Sequence, residues 1–160
     1  MYKAQDTSST DEEHRQHLTD IASQYNGQWK FFQYLTGKGM SIYNMYKYGM
    51  GRDVYAKLIE CLLQMDGITV QRDAALPMYW NDTCLDGTFP TDMLVNDNII
   101  VDVYSIDIIK QEQREILVNK MKLSHSQYGY LCNYDRQIYY SEWYARDKKT
   151  GIIDRIKLLK

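Results

Sequence analysis

Apolar side chains recur every three or four residues in four parts of the chain, the spacing that places them on one face of an α-helix. Acidic and capping residues precede the first of these segments, and glycine or asparagine follows each of the first three. The four predicted helices are Ser9–Tyr25, Trp29–Leu35, Val54–Leu63 and Lys110–Leu123.

Shorter apolar runs bounded by turn residues predict β-strands. They are Ile68–Arg72, Leu76–Trp80, Thr91–Val95, Ile99–Tyr104, Gly129–Cys132 and Gly151–Leu159. Asn96-Asp97-Asn98 predicts a hairpin turn between two of these strands, whereas Asn81 to Gly87 predicts a turn-rich loop. The order of helix, strands, helix and strand predicts an α/β sandwich.

The length and charge of the chain restrict the class of protein. Its 160 residues suit one domain, and a net charge of −2 gives no overall attraction to nucleic acid. No apolar run is long enough to span a membrane, and the polar start from Met1 to Thr10 lacks a signal core. We therefore expect a soluble, intracellular protein without a membrane partner. Abundant tyrosine, isoleucine and lysine fit an AT-rich genome such as that of a large DNA virus, so a virion or nucleoprotein assembly is one setting.

Three cysteines, Cys61, Cys84 and Cys132, are too widely spaced for a zinc motif and too few for a disulfide framework, which predicts reduced thiols. Two aspartates suggest chemistry more directly. Asp92 and Asp102 lie on the two strands of the predicted hairpin, so they can approach each other. Two such carboxylates are a typical cradle for Mg²⁺, although aspartates at strand ends also serve turns and sheet edges.

The stretch from Gly49 to Arg155 resembles the GxxExxY family, a branch of the PD-(D/E)xK nucleases. The matching pieces are Gly49 with Val54-Tyr55, Leu76–Tyr79, Thr91–Val95, Ile99–Tyr104, Lys122-Leu123, Cys132–Tyr134 and Gly151–Arg155. The resemblance implies a restriction-endonuclease-like α/β core, with helices packed on a mixed sheet of about four or five strands. It also implies a site in which acidic residues hold Mg²⁺ and a lysine stabilises charge at the substrate phosphate.

Several of the family's site residues are replaced in this chain. Arg52 stands for the helix glutamate, Tyr104 for the lysine, and the shorter Asp102 for the second acid, while Asp92 is kept. A guanidinium has donors only, and a tyrosine with a pKa near about 10 supplies no fixed cation. The predicted vestigial site is therefore Arg52, Asp92, Asp102 and Tyr104, without catalytic residues, metal or other cofactor.

Two substitutes for the lost groups stay open: Asp53 for the glutamate and Lys120 for the lysine. With such a substitute, Asp92 and Asp102 would hold Mg²⁺. Otherwise, we expect the Arg52 guanidinium to pair with Asp92 or Asp102. Tyr104, two residues after Asp102, would add its hydroxyl to the cluster.

The chain also contains segments without a counterpart in the family pattern. Residues 1–48 form a predicted N-terminal helical extension, and residues 49–160 form the nuclease-like domain with an insertion at 135–149. The aromatic residues of that insertion are predicted to bind partner chains, with core packing or stacking on single-stranded nucleic acid as alternatives. These residues are Tyr139, Tyr140, Trp143 and Tyr144.

Lost catalytic groups and added surface elements together predict a structural or interaction subunit of a larger assembly. Its partners would be other protein chains. The alternatives are a nucleic-acid-binding module without cleavage and a residual Mg²⁺-dependent nuclease that uses Asp92 and Asp102.

Overall fold

A mixed β-sheet forms the centre of the protein. The structure, a computed structural model, describes residues 28–156, so the predicted helix Ser9–Tyr25 and the last residues of the predicted final strand lie outside the described residues. The helices are α1 (Gln28–Tyr46), α2 (Arg52–Met65) and α3 (Gln111–Ser124). The strands are β1 (Val70–Trp80), β2 (Thr83–Val95), β3 (Ile99–Tyr104), β4 (Tyr128–Tyr134), β5 (Tyr139–Arg146) and β6 (Ile153–Arg155).

The six strands lie in the order β1-β2-β3-β4-β5-β6. Only β3 and β4 are parallel among these neighbours, and α3 makes the crossover between them. Every residue from Ile99 to Val103 in β3 is buried, as expected for a central strand covered by helices on both faces. This arrangement confirms the predicted α/β class, with more strands than the four or five expected.

The pleat of β3 divides the interior into two packed layers. Val101 and Val103 face the layer that α1 and α2 cover, and Phe31, Phe32 and Tyr55 belong to it. Ile100 faces the other layer, which α3 closes with Leu117 and Met121. No helix in residues 28–156 combines the length and apolar character that a membrane crossing requires.

Helix α1 does not end at Gly37-Lys38-Gly39, where the sequence predicted its end. It continues to Tyr46 and buries Ile42 and Tyr43 in the core, which offsets the roughly 1 kcal/mol that each helical glycine costs. Gly39 also serves a packing role, because a Cβ there would lie 2.2 Å from Cζ of Tyr139. The prediction failed because the burial that sustains this helix depends on residues far away in the chain.

The strand predictions were right in type and often wrong in extent. The predicted hairpin at Asn96-Asp97-Asn98 is confirmed, with Val95 paired to Ile99. However, β1 is one strand where two were predicted, and β2 already begins at Thr83, inside the predicted loop. These segments are extended because they pair with each other, with a register shift between Pro77 and Tyr79. Segment 135–149 likewise contains β5, which was not predicted as a strand and pairs along its length with β4.

Candidate functional site

Asp92 and Asp102 lie where β2 and β3 stop pairing. The ladder between these strands ends at Met93 and Val101, so the two aspartates are the next residue on each strand. Asp92 reaches across the gap, and its Oδ2 accepts a hydrogen bond from the Val103 amide at 3.4 Å. The hairpin therefore places the two carboxylates at one end of adjacent strands, as the sequence predicted.

Arg52 begins α2 and extends over this strand end. Its Nη2 donates to Oδ1 of Asp92, and its Nε donates to the carbonyl oxygen of Val103 at 2.8 Å. The preceding Gly51 has a φ of 89°, a conformation that glycine adopts without strain and that turns the chain into the helix. One guanidinium thus joins the β2 carboxylate to the β3 backbone, and the predicted ion pair between Arg52 and Asp92 is present.

Asp102 has a different cationic partner. Its carboxylate is buried, and Lys120 on α3 places Nζ 2.8 Å from Oδ1. The second oxygen, Oδ2, is buried without a hydrogen-bond partner among the residues that the structure describes. Lys120, which the sequence left open as a substitute lysine, is therefore the counter-ion of the second aspartate.

Tyr104 follows on the same face of β3 as Asp102. Burial raises the pKa of its hydroxyl to about 12; the charge of Asp102 acts in the same direction, and Arg52 opposes the rise. The side chain is therefore neutral at physiological pH. Within residues 28–156 its hydroxyl makes no hydrogen bond to either aspartate, so the predicted contact from Tyr104 to the cluster is not formed. Asp53, the other open substitute, is exposed next to Arg52.

The carboxylate oxygens of Asp92 and Asp102 and the Val103 carbonyl oxygen, all except Asp102 Oδ2, accept hydrogen bonds from protein donors where a divalent cation would need ligands. A carboxylate oxygen of Asp92 and the carbonyl of Val103 are hard ligands of the kind that Mg²⁺ takes, and both are bonded to Arg52. Lys120 occupies one oxygen of Asp102. Residues 28–156 contain no group of three His, Cys, Asp or Glu side chains placed to hold a metal. As arranged, the donor set does not fit a bound Mg²⁺.

The aromatic run of 135–149 is built into β5. Trp143 stacks on Phe32 with ring centres 5.4 Å apart, and its indole N–H donates to Thr36 Oγ1 at 3.2 Å. Tyr144 is also buried, whereas Tyr139 and Tyr140 are half-buried. In the single chain, Trp143 and Tyr144 therefore pack in the core, which was one of the alternatives that the sequence left open. Partner binding by this run stays a prediction, and for Trp143 and Tyr144 it would require the rings to leave the core.

Sequence reasoning missed a second charged cluster, centred on the buried Glu142 of β5. Arg114 Nε lies 2.9 Å from both carboxylate oxygens, and the hydroxyls of Tyr140 and Tyr144 donate at 2.6 Å. Burial by itself would raise the pKa of Glu142, but the hydrogen bonds from Arg114, Tyr140 and Tyr144, with the nearby Arg155, hold it below its ordinary value. The sequence did contain one signal for this cluster: Glu142 is a single acidic residue among the aromatic residues Tyr139, Tyr140, Trp143 and Tyr144.

A family model for the PD-(D/E)XK nuclease superfamily matches residues 30–145, which is more than half of the chain. The chain belongs to this superfamily. No curated protein and no solved structure matches it. Membership in the PD-(D/E)XK superfamily agrees with the helices, the mixed sheet and the paired aspartates described above. The finer GxxExxY assignment and the division between residues 48 and 49 stay predictions.

Proposed function

We propose that this PD-(D/E)XK chain is a non-catalytic member that acts as a structural or interaction subunit of a larger assembly. The observation that carries the proposal is the position of Arg52, which donates to both Asp92 and the Val103 carbonyl. A guanidinium cannot ligate a metal, and its positive charge repels Mg²⁺ from the same oxygens. The former metal site would then be a structural cross-link between α2, β2 and β3.

The charges of the site also balance without a metal. Arg52 neutralises Asp92, and Lys120 neutralises the buried Asp102. In a metal site, by contrast, clustered carboxylates without a cation repel each other, and one tends to take up a proton. Two separate ion pairs remove the need for a divalent cation, which supports a role without Mg²⁺ or another cofactor.

A second candidate function, a residual Mg²⁺-dependent nuclease, is favoured by Lys120. A surviving enzyme needs a lysine near the two aspartates, and Lys120 lies 2.8 Å from Asp102. In that case Arg52 would have to leave Asp92 and Val103 before a metal could bind, and Lys120 would provide the cation at the phosphate. The cost of displacing Arg52 makes this the second candidate.

Cleavage assays separate the two candidates. Purified full-length protein is incubated with labelled DNA and RNA and with Mg²⁺ or Mn²⁺, and Mg²⁺ binding is measured by calorimetry. The proposal expects neither cleavage nor binding by the wild-type protein, whereas Arg52→Glu should gain Mg²⁺ binding because it replaces a donor by an oxygen ligand. Arg52→Gln is the control, since it removes the charge without adding a carboxylate.

Wild-type cleavage that both Asp92→Ala and Lys120→Ala abolish would overturn the proposal and establish the second candidate. Binding of the same nucleic acids without cleavage, lost in charge-reversed variants of the site, would instead support the nucleic-acid-binding alternative. Both results can be read from the same protein preparations.

A further inference from the structure

The outer halves of β1 and β2 form a two-stranded ribbon that extends past the rest of the sheet. Only Met93, Leu94 and Val95 of β2 pair with β3. The ribbon, defined as residues 77–88, pairs only within itself among the described residues, from Pro77 with Thr88 to Trp80 with Thr83. Each residue from Thr83 to Thr88 is exposed, so the ribbon is a projecting arm rather than part of the packed sheet.

The arm is held against its own chain on one side, while Trp80 and Leu85 near its end are open to solvent. Leu76, directly before the ribbon, is buried, and Tyr79 stacks on His125 with ring centres 4.1 Å apart. At the end, Trp80 is 71% exposed and Leu85 is 40% exposed. A hairpin of two strands is marginally stable by itself, so a large exposed indole at its end is better explained by a partner than by folding.

The charge of the arm defines the chemistry of that partner. The sequence contains no lysine, arginine or histidine between Arg72 and Lys110, and the ribbon carries Asp82 and Asp86. A phosphate backbone would be repelled by this arm. The arm instead suits a protein surface that combines cationic side chains with an apolar or aromatic floor.

The same chain presents such a surface near the start of α1 and the β5–β6 end. A cavity of about 760 Å³ has an apolar and aromatic floor that includes Trp29, Tyr128 and Ile152. Its cationic lining residues are Arg146, Lys148, Lys149 and Arg155, against the carboxylates of Asp147 and Asp154. The Asp147 carboxylate already accepts hydrogen bonds from the backbone N–H groups of Lys149 and Thr150. Lys148 and Lys149 are exposed and make no ion pair within residues 28–156.

The arm does not occupy the cavity of its own molecule. The residues that line the cavity lie outside the ribbon, and Trp80 at the end of the arm is 71% exposed. The arm belongs to β1 and β2, whereas the cavity lies at β5 and β6, and β1 and β6 are the two edge strands of the six-stranded sheet. Two different and complementary patches on one subunit are the arrangement that joins subunits head to tail.

We propose that the ribbon of one copy docks in the β5–β6 cavity of a second copy. Trp80 and Leu85 contact the apolar floor, and Asp82 and Asp86 pair with Lys148 and Lys149. The contact is heterologous, so it produces rings or filaments rather than a closed two-fold dimer. This inference names a partner for the interaction role proposed above and rests on that role, but it does not depend on the state of the Arg52 site.

Sedimentation velocity of the full-length protein over a range of concentration and salt tests the proposal. The wild-type protein should form oligomers that dissociate as salt increases, because the contact is partly ionic. Asp82→Lys with Asp86→Lys, or Lys148→Glu with Lys149→Glu, should each weaken association by roughly tenfold or more. Lys57→Glu, an exposed charge reversal on α2, is the control and should leave association unchanged.

Mixing the two charge-reversed proteins provides the decisive measurement. The arm-reversed protein has a basic arm and a basic cavity, and the cavity-reversed protein has an acidic arm and an acidic cavity. Each arm is therefore complementary only to the cavity of the other protein. An equimolar mixture should recover oligomers that neither protein forms alone. A wild-type protein that stays monomeric throughout, or a mixture that does not recover, overturns the proposal. A Lys148→Glu with Lys149→Glu protein that loses binding to a fluorescent single-stranded oligonucleotide, without any change in self-association, overturns it in favour of nucleic acid. Loss of self-association would leave the Arg52 experiments unaffected, so the two proposals can fail separately.

Discussion

Arg52 and Asp92 form an ion pair at the point where β2 and β3 separate, and the same guanidinium donates to the Val103 carbonyl at 2.8 Å. Through this one side chain, α2 is attached to the side chain of one strand and to the backbone of the next. In a nuclease fold the corresponding oxygens would face a metal. Under the proposed function, the same ion pair that joins these elements also occupies oxygens that a metal would need.

Removal of the Arg52 side chain should destabilise the protein moderately. Arg52→Ala removes the hydrogen bonds that Arg52 donates to Asp92 Oδ1 and to the Val103 carbonyl, but Arg52 is 48% exposed and Asp92 is 21% exposed, so water compensates in part. We expect a loss of about 1–2 kcal/mol in the free energy of unfolding, measured by urea denaturation. Lys57→Ala, on the exposed face of the same helix, is the control, and equal effects of the two changes would contradict a specific role for Arg52.

Removal of Lys120 should cost more, because its partner is buried. Lys120→Met leaves the Asp102 carboxylate without its cation in the layer that α3 covers. Such an unpaired buried charge costs about 3–5 kcal/mol. Addition of Asp102→Asn to Lys120→Met should recover much of this loss, and a double-mutant cycle measures the coupling. Additive effects of the two changes would show that the ion pair contributes nothing.

Stability should fall in acid through Glu142. Its folded-state pKa lies below the ordinary value, so below about pH 4.3, the unfolded-state value, the unfolded chain binds more protons than the folded one. The contribution of Glu142 is thus fully present above that pH and is lost as the pH falls through the folded pKa. Melting temperatures from pH 6 to pH 2 measure this loss. Glu142→Gln should reduce the slope of that curve, and an unchanged slope would assign acid sensitivity to other groups.

Two glycines in α1 should respond in opposite ways to substitution by alanine. A Cβ on Gly39 would lie 2.2 Å from both Cζ and the hydroxyl oxygen of Tyr139, whose ring is held by Tyr130 through a 2.5 Å hydroxyl contact. We expect Gly39→Ala to lower stability by about 1–3 kcal/mol through overpacking. A Cβ on Gly37 meets nothing within 4 Å, so Gly37→Ala should raise stability by up to about 1 kcal/mol. Thermal unfolding of both variants decides this, and a stabilising Gly39→Ala would refute the close approach of Tyr139.

The sequence alone determined the features that depend on neighbouring residues. The apolar stripe of α2 and the turn between Val95 and Ile99 are local patterns, and both were predicted close to their observed limits. The proximity of Arg52 and Asp92, 40 residues apart, was predictable only because the family resemblance fixed how helix and hairpin meet. Local periodicity by itself contains no information about that distance.

The tertiary structure decided the partners of buried groups. Lys120 reaches Asp102 because α3 crosses over the parallel pair β3–β4, and Arg114 reaches Glu142 because β5 lies beside β4. Likewise, α1 continues past Gly39, where Tyr139, 100 residues later, lies so close that a Cβ would not fit. These contacts depend on which strands become neighbours, and that choice depends on burial of the whole core rather than on any short segment. The sequence therefore determined the elements and the ancestry of the site, while the packing of the sheet determined which charges neutralise each other.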